Sequence, residues 1–394
     1  MKKTIRDFDL ANKKVIIRCD LNVPIKGNVI LDDNRIRESI KTINYAISKG
    51  AKVIILSHLG RIKSEEDKAK NSLYPVSVRL SELINKKVTF VNETRGDVLE
   101  RAVEQMSSKD VILIQNTRYE DFPIKKESSN DEELGKYWAH LGDIFINDAF
   151  GCAHRAHASN VGVASHLPSG IGFLVEKELN VLGGLLNNPI KPYLVIIGGA
   201  KMNDKIKVIS TLVKKADYIL LGGGIANTFL KAKGFDLKKS IYDEDSIEYA
   251  KQMLNEYEDK IILPIDGYGS SRYEDNISVT YSNLNDVASD VMILDIGPKT
   301  IELFSKYINE AKTVFWNGPV GVSEFKNFEY GTKALCDLLE KSDAKVVVGG
   351  GDSAASAIRF GYKDSFEHIS TGGGASLEFI EGKSLPGIEI IEEK

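Results

Sequence analysis

Short runs of apolar, mostly β-branched residues recur along the whole chain, and they constrain its fold more than any other feature of the sequence. In the first half the runs are Val15–Ile17, Val53–Leu56, Val88–Val91, Val111–Ile114 and Ile144–Ile146. In the second half they are Leu194–Ile197, Tyr218–Leu221, Ile261–Leu263, Val291–Leu294, Val314–Trp316 and Val346–Val348. Most runs are unbroken rather than alternating, which is typical of strands in a parallel sheet covered on both faces.

Segments with helical periodicity lie between these runs. In RIRESIKTINYAISKG the isoleucines fall on one helical face, and Gly50 supplies a stop. Strands that alternate with helices predict an α/β fold. Five strands followed by six predict two doubly wound, Rossmann-like parallel sheets.

The join between the two sheets is expected at residues 172–188, where leucines at helical spacing run into Asn187-Asn188-Pro189. The predicted domains are then 1–171 and 189–375, joined by this helix. A tail, 376–394, is expected to return to the first domain. Two α/β domains joined in this way would leave a cleft that faces the carboxyl ends of both sheets.

The composition excludes several classes of protein. A chain of 394 residues is long enough for two domains, and its formal net charge of −4 gives no general attraction for nucleic acid or an anionic membrane. Three widely spaced cysteines do not form a disulfide framework. No signal peptide and no apolar stretch of roughly 18 residues is recognisable. We therefore expect a cytoplasmic protein without nucleic-acid or membrane partners.

Cationic and hydrogen-bonding residues follow most of the first-half strands, at the strand ends where open α/β sheets bind their ligands. They are Arg18, Asp20 and Asn22, then His58 and Arg61, then Arg118, and finally His154, Arg155 and His157. Guanidinium groups match phosphate and carboxylate oxygens, so this concentration of positive charge in an acidic chain predicts a socket for a small polyanion.

Glycine takes the same positions in the second half. The strand ends there continue as GGAKMNDK, GGGIANTF, DIGPKT, WNGPVGVSEF and GGGDSAAS. Glycine-rich turns let the backbone and a helix N-terminus approach a phosphate, so five of them predict a nucleotide site. Lys201 and Lys205 are spaced to serve one phosphate chain. Asp352 is either a carboxylate ligand for Mg²⁺ or a simple helix cap.

Other interpretations of these motifs have less support. His154 and His157 lack a third ligand for a metal site, and no G-x-S-x-G elbow indicates a serine hydrolase. Two rival functions stay open on these residues. A two-domain dehydrogenase should carry one intact glycine fingerprint. A non-catalytic sugar-phosphate binding protein would have no use for Lys201, Lys205 and Asp352.

Ten motifs in a fixed order make the chain resemble the phosphoglycerate kinase family over essentially its whole length. They are RCDLNVP, DDNRIRESI, SHLGR, DAFGCAHRAHAS, GFLVEKEL, GGAKMNDKI, GGGIANTFL, WNGPVGVSEF, GGGDSAASA and STGGGASLEFIEGK. The resemblance implies reversible phosphoryl transfer from 1,3-bisphosphoglycerate to ADP, giving 3-phosphoglycerate and ATP, with Mg²⁺ on the nucleotide. We expect a monomer.

The resemblance also implies two sites, residue by residue. The 3-phosphoglycerate site would comprise Asp20, Leu21, Asn22, Arg35, His58, Leu59, Gly60, Arg61, Arg118 and Arg155. The nucleotide site would comprise Lys201, Lys205, Gly223, Glu324, Gly350, Gly351, Asp352 and Ser353, with Asp352 on the metal. Arg35 and Lys201 are expected to neutralise charge in an in-line transfer that needs domain closure and no general base. Arg155 would bind the anion, while His154 and His157 would shape the turn.

The chain departs from the family pattern at several places. QNTRY stands where the family usually has Glu-Asn-Leu-Arg-Phe or Glu-Asn-Val-Arg-Phe, which keeps Arg118. Ser353 replaces a threonine, and Ile62 replaces a proline. Residues 266–276 are more polar and richer in glycine than the apolar segment expected there, so the sequence does not predict their local structure.

Overall fold

The computed structural model describes every residue from Met1 to Lys394. The chain forms two compact units. The first comprises Met1–Asn180 together with Ser384–Lys394, and the second comprises Val181–Lys383. Each unit has its own sheet and its own buried apolar core.

The first unit contains a six-stranded sheet and a short hairpin. Its strands are β1 (Lys14–Cys19), β2 (Ile25–Lys26), β3 (Val29–Ile30), β4 (Lys52–Leu56), β5 (Val88–Val91), β6 (Val111–Ile114), β7 (Ile144–Asp148) and β8 (Ser169–Ile171). The sheet order is β5-β6-β4-β1-β7-β8 with every pair parallel, and β2 pairs with β3 in the antiparallel hairpin. The winding reverses beside β1, which makes its carboxyl end a natural position for a ligand.

Helices of the first unit cover this sheet. They are α1 (Asn34–Ser48), α2 (Glu65–Lys70), α3 (Tyr74–Leu83), α4 (Asp97–Glu104) and α5 (Glu132–His140). The helical spacing of Ile36, Ile43 and Ala46 places all three on the buried face of α1. The next helix, α6 (Phe173–Asn187), contributes residues to both units, with the division after Asn180.

The second unit contains a second six-stranded parallel sheet and a separate three-stranded antiparallel sheet. Its strands are β9 (Tyr193–Ile197), β10 (Tyr218–Leu221), β11 (Ile261–Ile262), β12 (Asp266–Ser270), β13 (Thr280–Asn283), β14 (Met292–Ile296), β15 (Thr313–Asn317), β16 (Lys345–Val348) and β17 (His368–Ile369). The parallel order is β11-β10-β9-β15-β16-β17, and the antiparallel order is β13-β12-β14. In chain order the parallel sheet has the arrangement 3-2-1-4-5-6, with its switch point between β9 and β15.

One strand assignment from the sequence is wrong. The apolar run Val291–Leu294 was expected in the second parallel sheet, but it leads into β14, which pairs antiparallel with β12. A short apolar run does not specify its partner strand, which is why the sequence alone could not assign it. The sixth place in the parallel sheet belongs to β17. The polar segment that begins at residue 266 starts as β12, the central strand of the antiparallel sheet.

Seven helices follow in the second unit. They are α7 (Ile206–Leu212), α8 (Gly223–Ala232), α9 (Ile247–Tyr257), α10 (Pro298–Glu310), α11 (Tyr330–Lys341), α12 (Asp352–Arg359) and α13 (Gly374–Ile380). A last helix, α14 (Pro386–Glu389), lies in the tail and belongs to the first unit. Backbone hydrogen bonds attach this tail to the first unit, from Lys3 to the Glu392 carbonyl at 2.8 Å and from Gly387 to the Ala153 carbonyl at 2.9 Å.

The predicted fold class is confirmed, because two six-stranded parallel sheets with helices make up a mixed α/β architecture. None of the helices combines the length and the apolar character that a membrane crossing requires.

Candidate active site

Asn116 links the loops that follow β4 and β6. Its side-chain oxygen accepts hydrogen bonds from the backbone N–H of Leu59 at 3.1 Å and of Arg118 at 3.0 Å, and its amide nitrogen donates to the Leu59 carbonyl at 2.7 Å. The loop after β1 joins the same framework, because the Leu21 N–H donates to Ser57 Oγ at 2.9 Å. The carboxyl ends of three strands therefore support one fixed backbone surface.

Asn22 and Gly60 complete this framework. The Gly60 N–H donates to Asn22 Oδ1 at 2.9 Å. Gly60 has φ +61°, and a Cβ at this position would lie 2.4 Å from Asn71 Oδ1, so a side chain here would strain the backbone and displace the Asn71 side chain. The side chains of Leu21 and Leu59 are buried in the core, so these two predicted ligands can contribute only their backbone groups.

Arg18 is fully buried beneath the site. Its Nε donates to Ser159 Oγ at 2.8 Å, its Nη1 donates to the Cys19 carbonyl at 2.5 Å, and its Nη2 lies 3.3 Å from His58 Nδ1. Glu127, which is also fully buried, lies 3.9 Å from Nη2. These internal contacts use most of the donors of the guanidinium, so Arg18 stabilises the residues beneath the site and has few donors left for a ligand.

Arg118 and Arg35 face the framework differently. Arg35, in the first turn of α1, donates to Asp20 Oδ2 at 2.9 Å. Arg118 is only 9% exposed, its nearest carboxylate is that of Asp121 at 3.9 Å, and its Nε has no hydrogen-bond partner. Burial lowers the pKa of Arg118. A buried donor without an acceptor costs free energy unless a ligand supplies one, so Arg118 indicates an anion site.

Arg61 and Arg155 expose their side chains to solvent. The backbone around Arg155 is nevertheless fixed. Asn160 Nδ2 donates to the Arg155 carbonyl at 3.0 Å, and Asn160 Oδ1 accepts from the His157 N–H at 2.8 Å. We call Arg35, Arg61, Arg118 and Arg155 the arginine socket.

The two buried histidines near the socket are neutral at physiological pH. Burial lowers the pKa of His58 well below its usual value, and the nearby charges of Arg18 and Arg118 lower it further. Burial also lowers the pKa of His157 to about 3, again with help from Arg18 and Arg118. The arginines, and not these histidines, therefore supply the positive charge of this region.

Asp20, His58 and Cys152 bring three possible metal-ligand atoms within 4.8 Å of one another. The guanidinium of Arg18 opposes a metal cation there, because its Nη2 lies 3.3 Å from His58 Nδ1 and 3.9 Å from Cys152 Sγ. Burial raises the pKa of Cys152 to about 11, so its thiol is not a ready metal ligand. The cluster fits the anion site better than a metal site, and His154 and His157 are not part of it.

Lys205 lies at the switch point of the second parallel sheet. Its Nζ donates at 2.5 Å to Oδ1 of Asn317, the last residue of β15. Burial lowers the pKa of Lys205, while the nearby carboxylates of Asp204 and Asp352 oppose this shift. Lys201 lies in the same loop with an exposed side chain. Of the two lysines predicted to bind phosphate, Lys205 is therefore held by a hydrogen bond and Lys201 is exposed to solvent.

Glycine is required by close packing at two of the predicted nucleotide-binding turns. Gly223 begins α8 with φ +63°, and a Cβ there would lie 2.8 Å from the Gly199 carbonyl oxygen. A Cβ on Gly350 would lie 2.3 Å from the Gly373 nitrogen. The backbone turns of this site therefore have no room for larger residues, which is the condition for a ligand to approach the main chain closely.

The structure bears on one of the two interpretations of Asp352, that of a helix cap. The N-cap of α12 is Gly351, which has φ +80°, and no side chain makes a capping hydrogen bond there. Asp352 is the first residue of the helix and is exposed, so the helix-cap alternative is wrong. Its exposed carboxylate beside a glycine turn has the oxygen chemistry that Mg²⁺ prefers. Ser353 is buried, and its hydroxyl donates to the Gly349 carbonyl at 2.6 Å.

Glu324 follows β15 and is exposed, and its Oε1 accepts a hydrogen bond from the Tyr273 hydroxyl at 3.0 Å. Sequence reasoning named Glu324 but missed Tyr273. It also missed Asn317, the last residue of β15, and Asn116, two residues beyond β6, although positions at strand ends could have identified both. No sequence signal connects Tyr273 with Glu324.

Comparison with known proteins points to one family. The family model described as phosphoglycerate kinase matches residues 5–383. Among curated relatives, the phosphoglycerate kinase of Macrococcus caseolyticus is 53% identical over 395 residues, and that of Enterococcus faecalis is also 53% identical over 395 residues. Each alignment covers 100% of both chains.

Solved structures give the same answer for the fold. The phosphoglycerate kinase of Coxiella burnetii superposes with a TM-score of 0.87 at 39% identity, covering 99% of this chain and 98% of its own. The enzyme of Pyrococcus horikoshii superposes with a TM-score of 0.86 at 32% identity, covering 98% of both chains. This similarity extends over essentially the entire length of the chain.

Proposed function

The chain belongs to the phosphoglycerate kinase family, and from this premise we propose how its two units divide the reaction between them. The enzyme transfers a phosphoryl group reversibly from 1,3-bisphosphoglycerate to ADP, giving 3-phosphoglycerate and ATP. In our proposal the first unit binds the phosphoglycerate and the second unit binds the nucleotide.

The arginine socket is the proposed phosphoglycerate site. The observation that carries this assignment is Arg118, a buried guanidinium whose Nε lacks an acceptor. A ligand with a phosphate and a carboxylate offers acceptors of the required charge. Arg155 and Arg61 would reach the same ligand from the solvent side. The backbone at Leu21, Asn22, Leu59 and Gly60, with the side chains of Asp20 and His58, would surround it.

The glycine turns of the second unit are the proposed nucleotide site. Lys201 and Lys205 would bind phosphate oxygens, and the backbone at Gly223, Gly350 and Gly351 would lie against the nucleotide, with Ser353 and Glu324 beside it. The family's nucleotide substrates require a divalent metal. We assign this metal as Mg²⁺, held by the exposed carboxylate of Asp352. When bound, it would neutralise charge on the phosphate oxygens.

The chemistry requires no general base from the chain. In the direction of ATP consumption the nucleophile is the carboxylate of 3-phosphoglycerate, which is already ionised near neutral pH because ordinary carboxyl pKa values lie near 4. A bond forms from a carboxylate oxygen to the terminal phosphorus as the bond to the bridging oxygen of ADP breaks, and no proton moves. The chain's task is to position both substrates and to neutralise the charge in transit, which we assign to Arg35 and Lys201.

The division of the substrates between two units has a consequence for turnover. The two bound substrates must meet before transfer, so we propose that domain closure accompanies catalysis and protects the acyl phosphate from water. We further propose that the enzyme works as a cytoplasmic monomer with only small-molecule partners.

A coupled assay that follows ADP formation from ATP, Mg²⁺ and 3-phosphoglycerate tests this function. We expect ADP only when all three are present. The matched control omits 3-phosphoglycerate, which separates transfer from simple ATP hydrolysis. Equal ADP formation with and without 3-phosphoglycerate, or no ADP at all, would contradict the proposal.

A further inference from the structure

The segment 271–279 lies against the turn that carries Glu324. The Tyr273 ring packs on the Phe325 ring with centroids 4.8 Å apart and an interplanar angle of 54°. Asn327 Nδ2 donates to the Ile277 carbonyl at 2.8 Å. Together with the hydrogen bond from the Tyr273 hydroxyl to Glu324 Oε1, these contacts attach the segment to residues 324–327. This is part of the region in which the sequence departs from its family pattern.

The backbone next to Glu324 is fixed from the other direction. The Ser323 carbonyl accepts from the Arg359 guanidinium, and Ser323 Oγ lies 3.0 Å from Ser356 Oγ. Both partners belong to α12, the helix that begins with Asp352. The main chain at Glu324 is thus anchored to the helix of the proposed metal ligand, while its side chain extends into solvent.

The Glu324 side chain therefore depends on Tyr273 for its orientation. An exposed glutamate samples many rotamers, and restricting it on ligand binding costs free energy. A hydrogen bond to Oε1 holds the carboxylate before the ligand arrives and leaves Oε2 for the ligand, which reduces that cost. Tyr273 is itself 55% exposed, so its hydroxyl is not needed to fill the core.

The chemistry of Glu324 defines which part of the nucleotide it serves. A carboxylate repels phosphates, but it accepts hydrogen bonds from O–H and N–H groups. In an adenine nucleotide such donors occur on the nucleoside part. We propose that Tyr273 is a positioning residue that holds Glu324 ready to bind the nucleoside part of ADP and ATP. This inference rests on the nucleotide site of the proposed function.

Steady-state kinetics on Tyr273→Phe, Glu324→Gln, Glu324→Ala and the double variant of Tyr273→Phe with Glu324→Ala test the inference. Tyr273→Phe keeps the ring and removes only the hydroxyl. We expect it to raise KM for the nucleotide about fivefold, the typical net effect of one hydrogen bond, with kcat and KM for 3-phosphoglycerate unchanged. Glu324→Gln should raise the nucleotide KM about tenfold or more. Glu324→Ala also removes the acceptor of the Tyr273 hydroxyl, so the double variant should match Glu324→Ala alone, because Tyr273 acts through the Glu324 side chain.

Tyr281→Phe is the matched control. Tyr281 lies on β13, is 42% exposed, and contacts Asn283 Oδ1 at 3.4 Å, so losing its hydroxyl should leave the nucleotide KM unchanged. The positioning role is wrong if Tyr273→Phe raises the nucleotide KM equally with and without the Glu324 side chain. It is also wrong if Tyr273→Phe leaves the nucleotide KM unchanged while Glu324→Gln raises it. In both cases the nucleotide site itself stands. An unchanged nucleotide KM in Glu324→Gln would overturn both this inference and the assignment of Glu324.

Discussion

The two proposed sites use opposite means to bind anionic substrates. In the first unit, arginine side chains supply the positive charge. A network of buried, hydrogen-bonded polar residues, which includes Arg18 and Asn116, supports them. In the second unit, much of the site is main chain, at turns where Gly223 and Gly350 have no room for a Cβ. The first site should therefore be sensitive to loss of charge, and the second to the addition of a methyl group.

The largest effect is expected from Arg35→Ala. If the Arg35 guanidinium stabilises charge on the phosphoryl group in transit, kcat should fall about 10³-fold, as for arginines with this role in other phosphoryl-transfer enzymes. KM for ATP should barely change. Initial-rate kinetics in the coupled assay measure both constants.

Arg37→Ala provides the matched control for Arg35. Arg37 lies on the same helix and pairs with Asp33 at 2.8 Å on an exposed face. Its removal should leave kcat within about twofold, since exposed ion pairs contribute little. A near-normal kcat in Arg35→Ala, or an equal loss in both variants, would remove Arg35 from the mechanism.

A smaller effect is expected from Asp352→Asn, which tests the carboxylate that follows the glycine turn 349–351 in the second site. The asparagine keeps the size of the side chain and removes its negative charge. We expect kcat to fall about tenfold, with a higher Mg²⁺ concentration needed for half-maximal activity. Melting should be nearly unchanged because Asp352 makes no capping hydrogen bond.

The control for this variant is Asp364→Asn, which removes an exposed acid elsewhere in the second unit. Its Mg²⁺ titration should superpose on that of the wild type. An Asp352→Asn enzyme with wild-type activity and an unchanged Mg²⁺ titration would show that Asp352 does not hold the metal.

The smallest effect on turnover is expected at His157, one of the two buried histidines of the first unit, whose role concerns pH and stability. The pKa of His157 is lowered from 6.5 to about 3 in the folded chain, so between these values the unfolded chain binds a proton that the folded chain excludes. Its contribution to stability is therefore present above about pH 6.5 and is lost as the pH falls toward 3.

Replacing His157 by glutamine should remove this dependence. In the wild type, the free energy of opening the first unit should fall as the pH is lowered from 6 to 4. In His157→Gln this fall should be less steep, by up to about 1.4 kcal/mol per pH unit. Amide hydrogen exchange in β1 and β7 measures this free energy for the first unit alone. Parallel pH profiles for the two proteins would mean that His157 is not held neutral by the fold.

The sequence predicted the long buried strands well and the shortest strands poorly. Val53–Leu56 lies in β4 and Val111–Ile114 coincides with β6, because unbroken apolar runs identify buried strands by themselves. The sequence did not predict β8 (Ser169–Ile171) or β17 (His368–Ile369). Each is short and forms a strand only because it pairs with a longer neighbour. Pairing partners lie far away in the sequence, which is also why β14 was assigned to the wrong sheet.

The site residues show a similar limit. Charged residues and glycines at strand ends were visible in the sequence, and the resemblance to a family supplied their roles. What the sequence could not supply was the partner of each group. Arg18 proved to be an internal support, and Tyr273 proved to touch Glu324 across fifty-one positions of chain. Such contacts depend on tertiary packing, which no local pattern encodes.

Calorimetric titration of two variants with each substrate tests the division of labour most directly. Arg155→Ala removes a charge from the arginine socket, and Gly350→Ala adds a Cβ that would lie 2.3 Å from the Gly373 nitrogen. We predict that Arg155→Ala raises Kd for 3-phosphoglycerate about 10- to 100-fold and leaves Kd for ADP unchanged. Gly350→Ala should raise Kd for ADP about tenfold or more and leave 3-phosphoglycerate binding unchanged. If Arg155→Ala weakened ADP instead, or Gly350→Ala weakened 3-phosphoglycerate instead, the assignment of one substrate to each unit would be contradicted.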